Sequence, residues 1–193
     1  NSTTDGDITN DTSILSVTNY SISAPTTEDF ETFVVGTPGT TANGWTAEST
    51  DDFEWYVDND GTTSNGTGPD VDHTLGTAAG IYMYTEATGT PSGEAMLTSP
   101  CLDVSSLQNP ELGFWYHRCG TAMGDLSIDV YSNGVWTNDI LTLTGAQQTA
   151  TSDPWLDTNV NLAAYGSQVR IRFRASYGTG WQGDMAIDDI NIF

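Results

Sequence analysis

The sequence predicts an all-β protein, a sandwich or barrel of short strands. From Ile14 onward, brief apolar stretches are separated at fairly even intervals by clusters of Gly, Pro, Asn, Asp and Ser, the way strand and turn alternate in such folds. The stretches are rich in β-branched and aromatic residues, and signals for helices are weak. A chain of 193 residues has room for one sandwich with a sizeable core and no need of a second domain. Residues 14–193 are therefore expected to form a single domain. Residues 1–13 (NSTTDGDITNDTS) carry almost no apolar groups and read as a flexible lead or linker.

The clearest strands are expected from Gly80 to Glu86, Glu94 to Leu97, Glu111 to Arg118, Leu126 to Tyr131, Val169 to Ala175 and Met185 to Ile192. Asn133-Gly134 sits between LSIDVYS and VWTN and marks a tight hairpin, because both residues tolerate positive φ. Thr37-Pro38, Thr90-Pro91 and Asp153-Pro154 mark loops. Alternation gives faces: Leu126, Ile128 and Val130 share one side of their strand, Ser127 and Asp129 the other. From Glu111 to Arg118 neither side is polar, with Leu112, Phe114 and Tyr116 opposed by Trp115 and His117. That strand is either central in its sheet or uses its second face to bind something.

Twenty-six acids face four cationic side chains, all arginine, for a formal net charge of −22. Such a field repels nucleic acid and anionic membranes and attracts cations; an acidic surface rich in Thr, Ser and Asn also keeps a protein soluble. No apolar run approaches the ~18 residues that a membrane-spanning helix needs, so membrane insertion is not expected. Cys101 and Cys119 are an even pair around one strand, expected to form a disulfide in an oxidising compartment. Secretion or display at the cell surface follows as an expectation.

No catalytic constellation stands out, and the chain is not expected to be an enzyme. His73 and His117 lack metalloprotease spacing, and Ser99-Pro100-Cys101 lacks the glycine context of a nucleophile elbow. The acids do gather in three places: Glu28 to Glu31, the glycine-rich stretch from Asp58 to Asp72, and Asp184 with Asp188-Asp189. Loop carboxylates and carbonyls are what calcium takes. The stretch DNDGTTSNGTGPDVD is not an EF-hand, because Gly61 falls too early and no helices flank it. For any single acid a turn or a solvated position is the simpler reading; for the set, calcium is the expected cofactor.

The segments Asp29-Phe30-Glu31, Thr67-Gly68-Pro69 with Asp72-His73-Thr74, Gly80-Ile81-Tyr82-Met83-Tyr84, Leu97-Thr98-Ser99-Pro100, Leu112-Gly113-Phe114-Trp115-Tyr116-His117 and Asp184-Met185-Ala186-Ile187-Asp188-Asp189-Ile190 stand in the order of a known family. Over roughly Glu28 to Phe193 the chain resembles MAM domains, and looks most like the bacterial branch found in large exported proteins. The resemblance implies a jelly-roll sandwich of two antiparallel sheets, a bound cation in several members, and roles in adhesion, oligomerisation or substrate targeting. First and last strands of a jelly roll lie close together, which makes Asp29 or Glu31, Asp72, Asp188 and Asp189 the calcium ligands to expect. Adjacent Asp188 and Asp189 point to opposite faces of a regular strand, so one of them must act through its backbone, through a bulge, or not at all. Animal members usually carry four cysteines against two here, so the animal disulfide pattern is not carried over.

Sugar-binding sandwiches stack pyranose rings on flat aromatic faces, and a polysaccharide or other glycan is the expected partner, with a protein partner in adhesion or dimerisation as the alternative. Trp45, Trp55, Trp136 and Trp155 lie beside strand patterns and are expected to be structural. Trp181, in the loop from Gly178 to Gly183, is the first ligand candidate; Trp115 and His117 are the next. Arg170, Arg172 and Arg174 alternate with Ile171 and Phe173, which puts all three on one face. They are either a positive stripe for a carboxylate or sulfate or a ladder neutralised by cross-strand acids.

Overall fold

A computed structural model describes residues 21–36, 42–49, 53–89 and 92–193. The lead expected at residues 1–13, and the loops expected at Thr37-Pro38 and Thr90-Pro91, lie outside the described residues. The described chain is a jelly-roll β-sandwich with one short 3₁₀ turn, Ala163–Tyr165. Its strands are β1 (Ser21–Ser23), β2 (Thr26–Glu28), β3 (Thr46–Ser49), β4 (Trp55–Asn59), β5 (Ile81–Thr85), β6 (Glu94–Thr98) and β7 (Cys101–Asp103). They continue with β8 (Glu111–His117), β9 (Asp125–Ser132), β10 (Val135–Thr144), β11 (Leu156–Asn161), β12 (Gln168–Ser176) and β13 (Ala186–Ile192).

One sheet runs β1-β7-β12-β6-β3, with β9 on the other side of β12 and β10 at the outer edge of β9. The second runs β11-β8-β13-β5-β4, and β2 joins β13 beyond β5. Pairing is antiparallel except between β1 and β7. All six strands expected from the sequence are present, with ends shifted by a residue or two. The hairpin between β9 and β10 turns on Asn133 at φ 50° and Gly134 at φ 84°, the doubly left-handed turn that matches the twist of the flanking strands.

Period-two patterning explains the core. In β12 Val169, Ile171, Phe173 and Ala175 are buried while the arginines between them face outward. Phe173 meets Phe114 of the opposite sheet edge-on at 5.0 Å and Trp45 at 6.3 Å. At the start of the second sheet, the carboxylate of Glu28 accepts the Phe30 amide and that of Asp29 accepts the Glu31 amide. This turn holds Phe30 at φ 57° and drives its ring into the core against Phe33 and Trp45.

The disulfide expected between Cys101 and Cys119 does not form; both are free thiols. Cys101 lies beside Gln168 at the start of β12, whereas Gly120, next to Cys119, meets the backbone of Gln182 beyond the far end of that strand. Eight steps along β12 cover about 26 Å at ~3.3 Å per residue, against a Cα separation below ~7 Å for a disulfide. Trp136 also departs from expectation: Trp45, Trp55 and Trp155 are buried, but Trp136 is only half-buried, on the outer side of the first sheet.

Arg118 is fully buried, and among the described residues no carboxylate pairs with it. Its guanidinium donates to the Leu143 and Gly124 carbonyls, and its amide is held by the Gln148 side chain. It thereby ties the end of β10 and the approach to β9 to the end of β8. Burial lowers its pKa to about 10, so it stays charged at neutral pH. Arg118→Met should strand two buried carbonyls and cost about 3 kcal/mol, read as a lower urea midpoint with an unchanged m-value; an unshifted midpoint would show that the carbonyls find other donors.

Candidate functional site

The second sheet carries the site. Its outward side presents Tyr56 from β4, Tyr82 and Tyr84 from β5, Trp115 and His117 from β8, Ala186 and Asp188 from β13, and Asp157 and Asn159 from β11. A loop over residues 60–79 roofs half of this face. The Tyr82 hydroxyl donates to the Asp60 carbonyl at 2.8 Å, the Trp155 indole donates to the Val71 carbonyl at 3.0 Å, and His73 stacks on Trp115 at 3.8 Å and 17°.

Adjacent carboxylates hold the roof down. Asp188 Oδ2 accepts the amides of His73 and Thr74, at 2.9 and 3.2 Å. Asp189 accepts from the Thr74 hydroxyl at 3.0 Å and meets His73 Nδ1 at 2.5 Å. Both reach one loop because β13 is irregular between Asp188 and Asn191, and Asp189 sits at φ 46°. Of the ways open to this pair in the sequence, the bulge is the one used.

Asp72, also buried, accepts the amides of Leu75 and Thr77 within the same loop. Gly80 makes this possible, since a Cβ there would stand 2.0 Å from the Asp72 carboxyl carbon. Glu31 caps the Ile81 amide at 2.9 Å; burial raises its pKa, helped by repulsion from Asp72, Asp29 and Asp189. Burial pushes Asp188 up to about 8 despite its three backbone donors.

Asp72, Asp188 and Asp189 thus hold one loop, while Glu31 caps the strand that follows it and Asp29 caps the Glu31 amide. Their oxygens are hard donors of the kind calcium takes, and a carboxylate that accepts one or two amides keeps lone pairs to spare. Most are turned toward backbone amides, and among the described residues no group of three or more His, Cys, Asp or Glu stands where it could hold a metal ion.

Beyond the roof the face opens into a groove of about 610 Å³. Gly113 lies buried at its base under the side chains of Asn159 and Phe193, which leave no room for a Cβ: one there would stand 2.8 Å from Asn159 and 3.0 Å from Phe193. Thr27, Asn191, Gly113 and Asn159 form one row across four strands, β2, β13, β8 and β11. Trp115 and the exposed Phe193 supply aromatic walls, and Asp157 stands beside Trp115. Asn191 is fixed by Thr27 and the Asp189 carbonyl, while the exposed Asp157 and Asn159 side chains make no hydrogen bond among the described residues. The wall has polar groups, aromatic surface and an open end, and nothing that resembles a nucleophile with a base.

Of the residues singled out from the sequence, only Trp115 lines this groove. His117 is buried under the roof against Trp155, with the Asp153 backbone nearby but outside hydrogen-bonding geometry. Trp181 is half exposed on the 178–183 loop, away from the groove. Arg172 and Arg174 lie on the first sheet, bound to Asp129, with Glu94 and Asp139 also on Arg174. Burial opposes ionisation of Asp129, yet the hydrogen bonds from Arg174, Arg172 and the Asp139 amide outweigh it and hold its pKa below the usual range. For these two arginines the neutralised ladder is the arrangement found. Asp157 and Asn159 were missed because β11 does not stand out in the sequence, where their alternation with Thr158 and Val160 was the available signal; Phe193 was missed because it follows β13, a strand read only to Ile192.

The two sheets, one of them roofed and carrying a polar and aromatic groove, define a jelly-roll β-sandwich. The chain belongs to the MAM domain family (meprin/A5/mu), whose profile matches residues 30–193. It is 32% identical over 155 residues to neuropilin-1a of Danio rerio, covering 77% of this chain and 16% of that protein. It is 32% identical over 158 residues to MAM domain-containing glycosylphosphatidylinositol anchor protein 1 of Rattus norvegicus, again 77% and 16%. The chain therefore spans about a sixth of these relatives. In fold it is similar to the K1 cleaved adhesin domain of Lys-gingipain from Porphyromonas gingivalis W83, with a TM-score of 0.57 at 18% identity over 87% of this chain and 96% of that one. It is also similar to TmCBM61 in complex with β-1,4-galactotriose, with 0.53 at 14% identity over 86% and 93%. No helix among the described residues is long and apolar enough to cross a membrane.

Burial drops the His117 pKa to about 4. The folded state thus prefers the neutral ring, and stability should fall as pH drops from about 6.5 to about 4, by up to about 3 kcal/mol. Asp184 and Asp188, raised by burial to about 7 and about 8, act with the opposite sign, gaining stability as pH falls toward the carboxylate range. His117→Phe should remove only the first contribution. The difference between wild-type and variant unfolding free energies, measured from pH 8 to 4, isolates it, and a pH-independent difference would contradict a neutral buried ring.

Proposed function

We propose that this chain is an extracellular, non-catalytic recognition module that binds a neutral glycan along the groove beside Trp115 and Phe193, and so holds a larger protein at a polysaccharide or cell surface. The observation that carries this reading is the groove itself. The aromatic side chains of Trp115 and Phe193 offer a surface on which a pyranose ring can pack, and Asp157 and Asn159, which make no hydrogen bond among the described residues, are placed to bond its hydroxyls. The Asp157 carboxylate in the lining and the net charge of −22 favour uncharged sugars over anionic ones in this groove. The groove is open along its length, which suits the interior of a chain better than its end. The sandwich shared with a module bound to β-1,4-galactotriose makes β-1,4-galactan the first probe, and relatives named for a glycosylphosphatidylinositol anchor agree with an extracellular setting.

The test is titration calorimetry against galactan, xylan and β-glucan. One of these should bind the wild type, and Asn159→Ala or Asp157→Ala should weaken it about tenfold, the worth of one or two hydrogen bonds, with an unchanged melting temperature. Wild-type affinity in both variants, or no neutral polysaccharide bound, would reject the groove as a glycan site. Self-association seen by light scattering without glycan binding would favour adhesion between proteins.

Calcium belongs to the same proposal. Asp29, Glu31, Asp72, Asp188 and Asp189 would hold the ion, whose charge would relieve their mutual repulsion and secure the roof. With free calcium ~100-fold above its dissociation constant the folded state would gain about 2.7 kcal/mol. A chelator should therefore lower the melting temperature, and calcium should restore it where sodium at equal ionic strength does not. A melting curve unmoved by chelator would leave these carboxylates as amide caps alone.

A further inference from the structure

The other sheet carries a second surface that the groove does not use. Trp136, Tyr131 and Arg170 are cross-strand partners in a single row over β10, β9 and β12, a span of about 10 Å at ~4.8 Å between strands. They line a shallow recess of about 350 Å³. The Arg172 guanidinium lies 4.1 Å from the centre of the Trp136 ring and is itself held by Asp129 Oδ2 through two nitrogens, at 2.9 and 2.7 Å. One face of the indole is therefore seated on a fixed cation, and its orientation is set before any ligand arrives. Tyr131 adjoins it at 5.3 Å.

Arg170 is the exception among the four cations of this chain. Arg118 is buried on carbonyls, and Arg172 and Arg174 share Asp129. Arg170 is exposed and makes no hydrogen bond or ion pair among the described residues, in a protein where acids outnumber cations 26 to 4. A free guanidinium is a rigid fork for two anionic oxygens, and an aromatic pair beside it is a stacking surface for a sugar ring.

We infer that the Trp136–Tyr131–Arg170 row is a second binding site, for a sugar carrying a carboxylate or sulfate group. The ring packs on the aromatic pair, and the anionic group meets Arg170. Independent of the neutral-glycan groove on the opposite sheet, this site would let the module grip a polysaccharide of mixed charge.

Affinity electrophoresis tests the inference, with polygalacturonate and dextran sulfate as anionic probes and galactan and dextran as their neutral counterparts. At least one anionic probe should retard the wild type. Arg170→Ala should weaken that binding about tenfold or more, the measure of a charge-assisted contact, and Arg170→Lys should recover only part of it. Thermal melting should be unchanged in both, because Arg170 supports no other group, and Asp157→Ala or Asn159→Ala in the groove should leave anionic binding intact. The inference is overturned if neither anionic probe binds, if Arg170→Ala binds as wild type, or if the neutral probes depend on Arg170 equally. Arg170-dependent binding of polyglutamate with no retardation by either anionic polysaccharide would also overturn it, by assigning the site to an acidic peptide.

Discussion

The attachment of the 72–77 loop to the last strand, through the neighbouring carboxylates of Asp188 and Asp189, is the constraint from which the functional face follows. A regular strand would send these side chains to opposite sides. The bulge with Asp189 at positive φ sends both to the amides and side chains of His73 and Thr74. Once that loop is fixed, His73 lies on Trp115, the Val71 carbonyl receives Trp155, and half of the outer face is closed. What the roof leaves open is the groove, and Trp115 is its boundary.

The same attachment shows how a strongly acidic chain folds with so few cations. Its buried carboxylates are satisfied mainly by backbone amides. Asp72 caps its own loop, Glu31 caps the start of β5, and Asp184 caps the Ala87 amide while its second oxygen lacks a partner. Amide donors cost the protein no cation, and they are plentiful in glycine-rich loops. The arginines are then available where amides cannot serve: two around buried Asp129, one stapling carbonyls at the end of β8, and one at the surface without a partner among the described residues.

The sandwich thus presents two unlike outer faces. One has a groove lined by Asp157, Asn159 and Asn191 between aromatic walls; the other has an arginine ladder topped by Trp136. Both are built on paired strands of the scaffold and not on loop tips, so their side chains are held by cross-strand register and move little relative to each other. The half-exposed Trp181, by contrast, rides on a loop and lacks such support.

Much of this was legible in the sequence. Alternation in β9 and β12 and the Asn133-Gly134 turn follow from local periodicity and turn chemistry, because a strand's faces are fixed by its own residues, and the jelly roll was implied by the order of motifs. The central place of β8 was one of two readings its aromatic faces allowed. Tertiary structure alone decided the rest. Which sheet holds Cys101 and Cys119, and hence that about 26 Å of β12 separates them, depends on pairing between distant segments. Whether Trp136 sinks into the core or lies on Arg172 depends on the pairing of β10, β9 and β12, and whether the outer face of β8 is roofed at His117 depends on where a loop of some twenty residues lands. Local sequence names the carboxylates but not the segment they hold, because the donors to Asp188 are backbone amides, and every sequence supplies those.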